Sequence, residues 1–280
     1  MARPDTIGAA LGDGAAQLAS SPMARRDAEL LLMHALGCDR AYLLTHPEMR
    51  MTAEQAALYQ AWLARRARHE PVQYIVGEWE FFGLKFRVTP DVLIPRPETE
   101  HLVEAALARV DHDQPVRIAD IGTGSGAIAV ALAHALPLAR VTALDISKAA
   151  LEVAQGNAQR HGLEDRIRFV ASDLLGAVSG EQFDMIVSNP PYVAENEELE
   201  AQVRDYEPTS ALFAGPDGLD VYRRLIPQAQ MALKAGGWLL LEMGQGQRDA
   251  LAQLLREWDD VGFVADLQGI PRVVCARRTE

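Results

Sequence analysis

The chain is 280 residues long, with 49% apolar residues and a formal net charge of −12. That length allows one large or two modest domains with a sizeable core, and no run approaches the roughly eighteen apolar residues of a membrane span. An acidic balance argues against tight sequence-independent binding to nucleic acid, because phosphate neutralisation needs a basic face.

The first five residues, Met1-Ala2-Arg3-Pro4-Asp5, lack an apolar stretch and do not read as a secretory signal. Cys38 and Cys275 are far apart, and the histidines are scattered, so free thiols and no metal site are expected. Residues 1–75 carry helical signals and little strand signal. Pro22 can open a helix whose apolar stripe is Ala28, Leu31, Leu32, Ala35 and Leu36, with Gly37 closing it. Thr52 and Gln55 have capping-box spacing ahead of Ala57, Leu58, Ala61 and Trp62. Arg65, Arg66 and Arg68 follow near a helix end and read as a solvated cationic cap for the helix dipole. Eight basic and eight acidic residues balance over residues 1–76, so the whole acidic excess lies beyond them.

Residues 76–97 change character. Glu78–Phe82 and Leu84–Val88 flank Gly83 as a hairpin linker. Pro97-Glu98-Thr99-Glu100 reads as a helix start, with proline and acids in the first turn of a helix over Glu98–Val110. From residue 112 onward strands and helices alternate, the pattern of a doubly wound parallel α/β sheet.

Val116–Ile121 is a short strand followed at once by Gly122-Thr123-Gly124-Ser125-Gly126 and an apolar helix from Ala127 to Leu136. Strand, glycine turn and helix make a nucleotide-binding unit in which backbone N–H groups approach a ligand. Ala127 completes a G-x-G-x-x-A spacing, so glycines alone do not exclude a dinucleotide. Asp120, however, would meet a pyrophosphate unfavourably, and suits a cationic ligand. S-adenosylmethionine, with its ammonium and sulfonium groups, fits that acid.

A second strand, Arg140–Leu144, ends at Asp145, at the distance from the glycine loop where a ribose-binding acid falls. The alternative is a helix cap, but Ser147 can cap Lys148–His161 and leave Asp145 free. Ile167–Ala171 is a third strand, after which Asp173 could accept from an adenine amine with Leu174 bordering the ring; an exposed turn acid is the other reading.

Phe183–Ser188 reads as a buried strand that ends in Asn189-Pro190-Pro191-Tyr192. Asn followed by two prolines can continue neither ladder nor helix, so an amide and an aromatic ring are held at a strand's carboxyl end, where open α/β sheets bind ligands. The Asn189 carboxamide oxygen and the Pro190 carbonyl could both accept from a planar NH2 group, and Tyr192 could stack on it. A plain turn is the bland alternative. The acidic stretch Glu195–Glu200 reads as a flap or, more simply, a solvated helix. Helix Leu219–Leu233, strand Trp238–Met243, helix Gln247–Trp258, Val261–Val264 and the strand Arg272–Ala276 complete the chain.

Asp120 to Gly126, Asp145 and Asn189 to Tyr192 together resemble a class I methyltransferase acting on a planar nitrogen. Pro71–Gly77, Glu80–Gly83 and Ile94–Glu100 extend the likeness over nearly the whole chain, which resembles the bacterial release-factor glutamine methyltransferase family. That resemblance implies a Rossmann-like sheet whose last strand is antiparallel, and S-adenosyl-L-methionine as cofactor. It divides the chain into a helical substrate-recognition domain over 1–75, a hairpin linker over 76–97 and a methyltransferase domain over 98–280. It puts Arg96, Pro97, Glu98 and Thr99 in the wall over the cofactor's methionine end, and Tyr206–Pro208 and Leu212–Gly215 near the mouth. A mere stabilising cap is the other meaning of the helical region.

The implied reaction is methylation of the amide nitrogen of a release-factor glutamine, in a Gly-Gly-Gln loop, by a cytoplasmic monomer. Asn189, Pro190 and Tyr192 would carry the chemistry, with Pro191 beside them at the substrate. Adenine methylation in DNA or RNA uses the same four-residue motif and is the competing function; a noncatalytic cofactor-binding protein is the third.

Overall fold

A computed structural model describes residues 6–279, so the Met1–Asp5 reading lies outside the described residues. The chain forms two compact units, one running to Glu78 and taking in Leu199–Tyr206, the other holding Trp79–Glu198 and Glu207 onward.

The first unit contains α1 (Ile7–Gln17), α2 (Ala24–Leu36), α3 (Arg40–Thr45), α4 (Ala53–Arg66) and α5 (Val72–Val76). Its core gathers Ile7, Leu11, Leu31, Leu32, Leu43, Tyr59, Leu63 and Ile75. The α2 stripe and its left-handed Gly37 stop (φ 65°) form as expected, although the helix starts at Ala24 rather than at Pro22. The Thr52/Gln55 capping box is complete on both sides.

The sequence reading assigned no buried face to α4. Tyr59, Leu63 and Arg66 point inward, while Ala57, Leu58 and Ala61 are exposed. Two polar groups make that face possible. The Tyr59 hydroxyl donates to the Ala28 carbonyl at 3.3 Å, and the Arg66 guanidinium pairs with buried Asp27 at 2.8 Å. Arg65 pairs with Glu70 at 2.5 Å, so the basic run is largely internal pairing rather than a solvated cap. The short α9 (Ala201–Arg204) belongs to this unit, and the Tyr206 hydroxyl donates to the Arg68 carbonyl at 2.7 Å.

The expected hairpin follows, β1 (Glu78–Phe81) and β2 (Leu84–Arg87), all of it but Glu78 in the second unit. Phe82 and Gly83 both take positive φ (51° and 71°), the turn geometry that matches strand twist. A 3₁₀ turn at Pro97–Thr99 then leads into α6 (Glu100–Leu107), which is shorter than expected. The remaining elements are β3 (Arg117–Ile121), α7 (Ala127–Ala135), β4 (Arg140–Asp145), α8 (Lys148–Arg160), β5 (Ile167–Ala171), β6 (Phe183–Ser188), α10 (Asp220–Ala232), β7 (Leu233–Glu242), α11 (Arg248–Leu254), β8 (Asp259–Ala265) and β9 (Pro271–Arg277). Residues 195–200, read as a helix, form a turn and irregular backbone. Their exposed glutamates have no apolar face to bury, and a polar segment gains little from helix formation.

The sheet has the order β5-β4-β3-β6-β7-β9-β8. β3 to β7 are parallel and β9 is antiparallel to both neighbours. One face buries Leu102, Val103, Ile128 and Leu132 against the strands; the other buries Tyr222, Leu225, Ile226 and Leu251. Successive strands run outward from β3 through β4 and β5, and the chain then returns to place β6 on β3's opposite side. This reversal is a topological switch point, and ligands bind outside the carboxyl ends of the strands there.

Candidate active site

Both motifs meet at that switch point, because β3 feeds the glycine loop and β6 feeds Asn189. β3 and β6 pair in parallel through Ile121 and Ser188, and the Ser188 hydroxyl donates to the Ile121 carbonyl at 2.7 Å.

The glycines of the loop divide their work. Gly122 and Gly124 take positive φ (68° and 53°), and a methyl group on either would meet no atom within 4 Å, so their backbone borders open space. Gly126 (φ 80°) lies so close to α8 that an added Cβ would stand 3.0 Å from the Ala154 Cβ. Two glycines therefore border open space and the third packs against α8. Thr123 and Ser125 are buried.

Asp120 is fully buried beneath the loop. Its Oδ2 accepts from the Thr123 hydroxyl at 2.6 Å and from the Ala129 amide at 3.1 Å, while Oδ1 has no protein partner. Burial pushes the carboxyl up to about 7 against those hydrogen bonds. Asp145 is not left free as expected. Its Oδ2 accepts from the Gly124 amide at 2.9 Å and its Oδ1 from the Ser147 amide at 2.8 Å, so it anchors the loop to the end of β4. Ser147 still caps α8 through Ala150. Each carboxylate oxygen has two lone pairs, so acceptor capacity toward a ligand remains. Burial raises Asp145 as well.

Asp173 is exposed and pairs with Arg224 at 2.5 Å; an adenine amine would have to share it. Leu174 beside it takes φ 50°, an uncommon conformation for a branched apolar residue. Arg96 is held at 2.6 Å by Glu207, a buried carboxylate whose other oxygen has no partner. Pro97 is exposed and Glu98 half-buried.

Thr99 differs from its neighbours in the expected wall. It is buried, and its hydroxyl accepts from the Asn189 side-chain amide at 3.1 Å and hydrogen-bonds the Glu242 carboxyl. Because Nδ2 of Asn189 is engaged, its Oδ1 is the atom left to accept from a ligand. Pro190 is buried and Pro191 half-buried behind it. The Tyr192 carbonyl accepts from Gln247 Nε2 at 3.0 Å, and Gly244 and Gly218 pack against Tyr192 so closely that an added Cβ would stand 3.0 Å from its ring and 2.2 Å from its carbonyl.

Sequence reading passed over Glu242, Gln247, Tyr222 and Asn157. Glu242 ends an apolar strand and is fully buried; burial pushes it up to about 7. The Tyr222 hydroxyl donates to the Glu242 carbonyl at 2.7 Å. Asn157, fully buried on α8, accepts from the Arg87 amide and donates to the Arg87 and Ser125 carbonyls, joining hairpin, helix and glycine loop. For Glu242 the available signal was a carboxylate at the end of the apolar run Leu239-Leu240-Leu241.

The unpartnered buried Asp120 oxygen suits a ligand carrying an ammonium and a sulfonium, and the open space beside Gly122, Gly124 and Asp145 suits its nucleoside. Fold and site together define a class I S-adenosylmethionine-dependent methyltransferase. A solved T. thermophilus 16S rRNA methyltransferase, in complex with AdoMet and guanosine, shares the fold with a TM-score of 0.54 at 21% identity, over 72% of this chain and 49% of that one.

Two family models match parts of the sequence. A PrmC N-terminal domain matches residues 9–77, and a methyltransferase small domain matches residues 99–205. The release factor glutamine methyltransferase of Koribacter versatilis is 51% identical over 265 residues, covering 94% of each chain. That of Geobacter sulfurreducens is 45% identical over 91% of this chain and 89% of its own. The chain belongs to the release factor glutamine methyltransferase family.

Proposed function

We propose that the protein methylates the side-chain amide nitrogen of a glutamine in peptide chain release factors, within their Gly-Gly-Gln loop, using S-adenosyl-L-methionine. The observation that carries this reading is the Asn189 carboxamide at the end of β6, whose nitrogen is tied to Thr99 so that its oxygen is the free acceptor for an incoming NH2 group.

An amide nitrogen is a weak nucleophile because its lone pair is delocalised into the carbonyl. In this reading Asn189 Oδ1 and the Pro190 carbonyl take its two N–H bonds and aim the nitrogen, while Tyr192 stacks on the flat group and Pro191 stiffens the turn. Acceptors on those hydrogens also stabilise the positive charge that develops on nitrogen. When bound, S-adenosylmethionine supplies an electrophilic methyl group on a sulfonium. A C–N bond forms as the C–S bond breaks, and one amide proton leaves to solvent. Holding the reacting atoms in line removes several kcal/mol, roughly, from the barrier.

Asp120 faces the ammonium, the loop from Gly122 through Thr123, Gly124 and Ser125 to Gly126 cradles the nucleoside, and Asp145 takes the ribose hydroxyls. Asp173 and Leu174 border the adenine, and Arg96, Pro97 and Glu98 wall the methionine end. The helical unit recognises the release factor, and the enzyme works as a cytoplasmic monomer without stable nucleic acid. Among the described residues no helix is long and apolar enough to cross a membrane.

Incubation with radiolabelled S-adenosylmethionine, unmodified release factor and DNA tests the reading. Label on the release factor that disappears when its loop glutamine is replaced supports it; label on DNA alone transfers the function to adenine.

A further inference from the structure

Glu242 and Thr99 form a buried pair directly behind Asn189. Leu241 pairs with Ser188 in the parallel register of β7 and β6, so Glu242 and Asn189 are the next residues along on adjacent strands. Thr99 is 4% exposed and Glu242 2%. The Asn189 Nδ2 donates to the Thr99 hydroxyl oxygen at 3.1 Å, and Thr99 in turn hydrogen-bonds the Glu242 carboxyl.

We propose that Glu242, acting through Thr99, is a positioning device that fixes which way the Asn189 carboxamide faces. An ionised carboxylate can only accept hydrogen bonds, so Thr99 must donate to it. The Thr99 lone pairs then face Asn189, which must present its NH2 group to them. Oδ1 is thereby turned toward the acceptor amide. Without this relay the Asn189 amide could rotate by half a turn at little steric cost and offer an N–H to a substrate that has only N–H to give. The inference rests on the glutamine-methylation reading and deepens it.

Protonation of Glu242 breaks the relay, because the acid can then donate to Thr99 and free the Thr99 proton for Asn189. Burial raises Glu242 to about 7. The charged and titratable groups facing it are Arg96 and Glu98 ahead of α6, Arg272 on β9, and Tyr192; Tyr222 of α10 approaches its backbone carbonyl.

The test compares wild type with Thr99→Ser, Thr99→Val and Glu242→Gln, reading kcat on release factor across pH, cofactor affinity by calorimetry, and the side-chain NH2 resonances of Asn189 by NMR. The expected result is a kcat lower by about 100-fold in Thr99→Val, in line with the cost of a misplaced reacting group. Thr99→Ser should stay close to wild type, cofactor affinity should hold in both, and Asn189 resonances should move in Thr99→Val. Glu242→Gln can donate through its NH2 as the protonated acid does and cannot titrate, so it should lower kcat and lose the acid limb. Undiminished kcat in Thr99→Val, equal losses in Thr99→Val and Thr99→Ser, or an acid limb that survives in Glu242→Gln overturns the proposal. A wild type that leaves the glutamine unlabelled overturns the functional reading instead, and the Asn189 resonances still judge the relay: no movement in Thr99→Val refutes it.

Discussion

At the scale of single residues, the site works by matching donors to acceptors. On the proposed reading, Asn189→Ala removes an acceptor whose partner is on the substrate, so turnover should fall by about two to three orders of magnitude, the range seen for a lost transition-state hydrogen bond. Cofactor affinity, measured by calorimetry, should stay nearly constant; an equal loss of affinity would contradict the role given to Asn189. The motif residues were legible because prolines and glycines interrupt regular structure in sequence as they do in space. Their partners were not. Asp145 seemed free once Ser147 was assigned the cap, yet a carboxylate at a strand end also meets the amides of the loop beside it, Gly124 among them. Glu242 passed as part of an apolar strand because no local pattern announces a tertiary hydrogen bond to Thr99.

At the scale of elements, the two kinds of loop glycine give a contrast that melts and calorimetry can measure. Gly126→Ala forces a Cβ against Ala154 at 3.0 Å in a positive-φ position, so it should cost stability by roughly 1–3 kcal/mol. Gly124→Ala meets no protein atom, so its thermal cost should be limited to backbone strain of about 1 kcal/mol, while its methyl group intrudes on the cradle and weakens cofactor binding. Thr52→Ala, which opens the capping box of α4, should cost about 1 kcal/mol in a thermal melt and leave kcat unchanged. The strands of the sheet were readable from apolar runs, and β5 and β6 match their expected bounds residue for residue. The face of α4 was not readable, since its inward turn depends on Tyr59 and Arg66 finding partners on α2 at Ala28 and Asp27.

At the scale of the whole molecule, acidity and burial act on stability with the same sign. Asp120 and Glu242 are both raised to about 7, so the folded chain holds protons that the unfolded chain releases near 4. Their contribution is fully present below the unfolded values and is lost as pH rises toward 7. The net charge of −12 adds self-repulsion over the same range. The melting temperature should therefore fall between about pH 4 and pH 7, and less steeply in Glu242→Gln; an unchanged slope in that variant would remove Glu242 from the account.

The Leu199–Tyr206 segment carries a consequence for inheritance. Because it clusters with the chain before Glu78, the helical unit is written in two separate stretches of gene, with the Asn189 motif encoded between them. A recombination at residue 78 would transplant the helices but strand the piece that supplies Tyr206 to Arg68. Grafting this unit onto another body takes two insertions, so its two stretches are inherited as one piece only together with the chain between them.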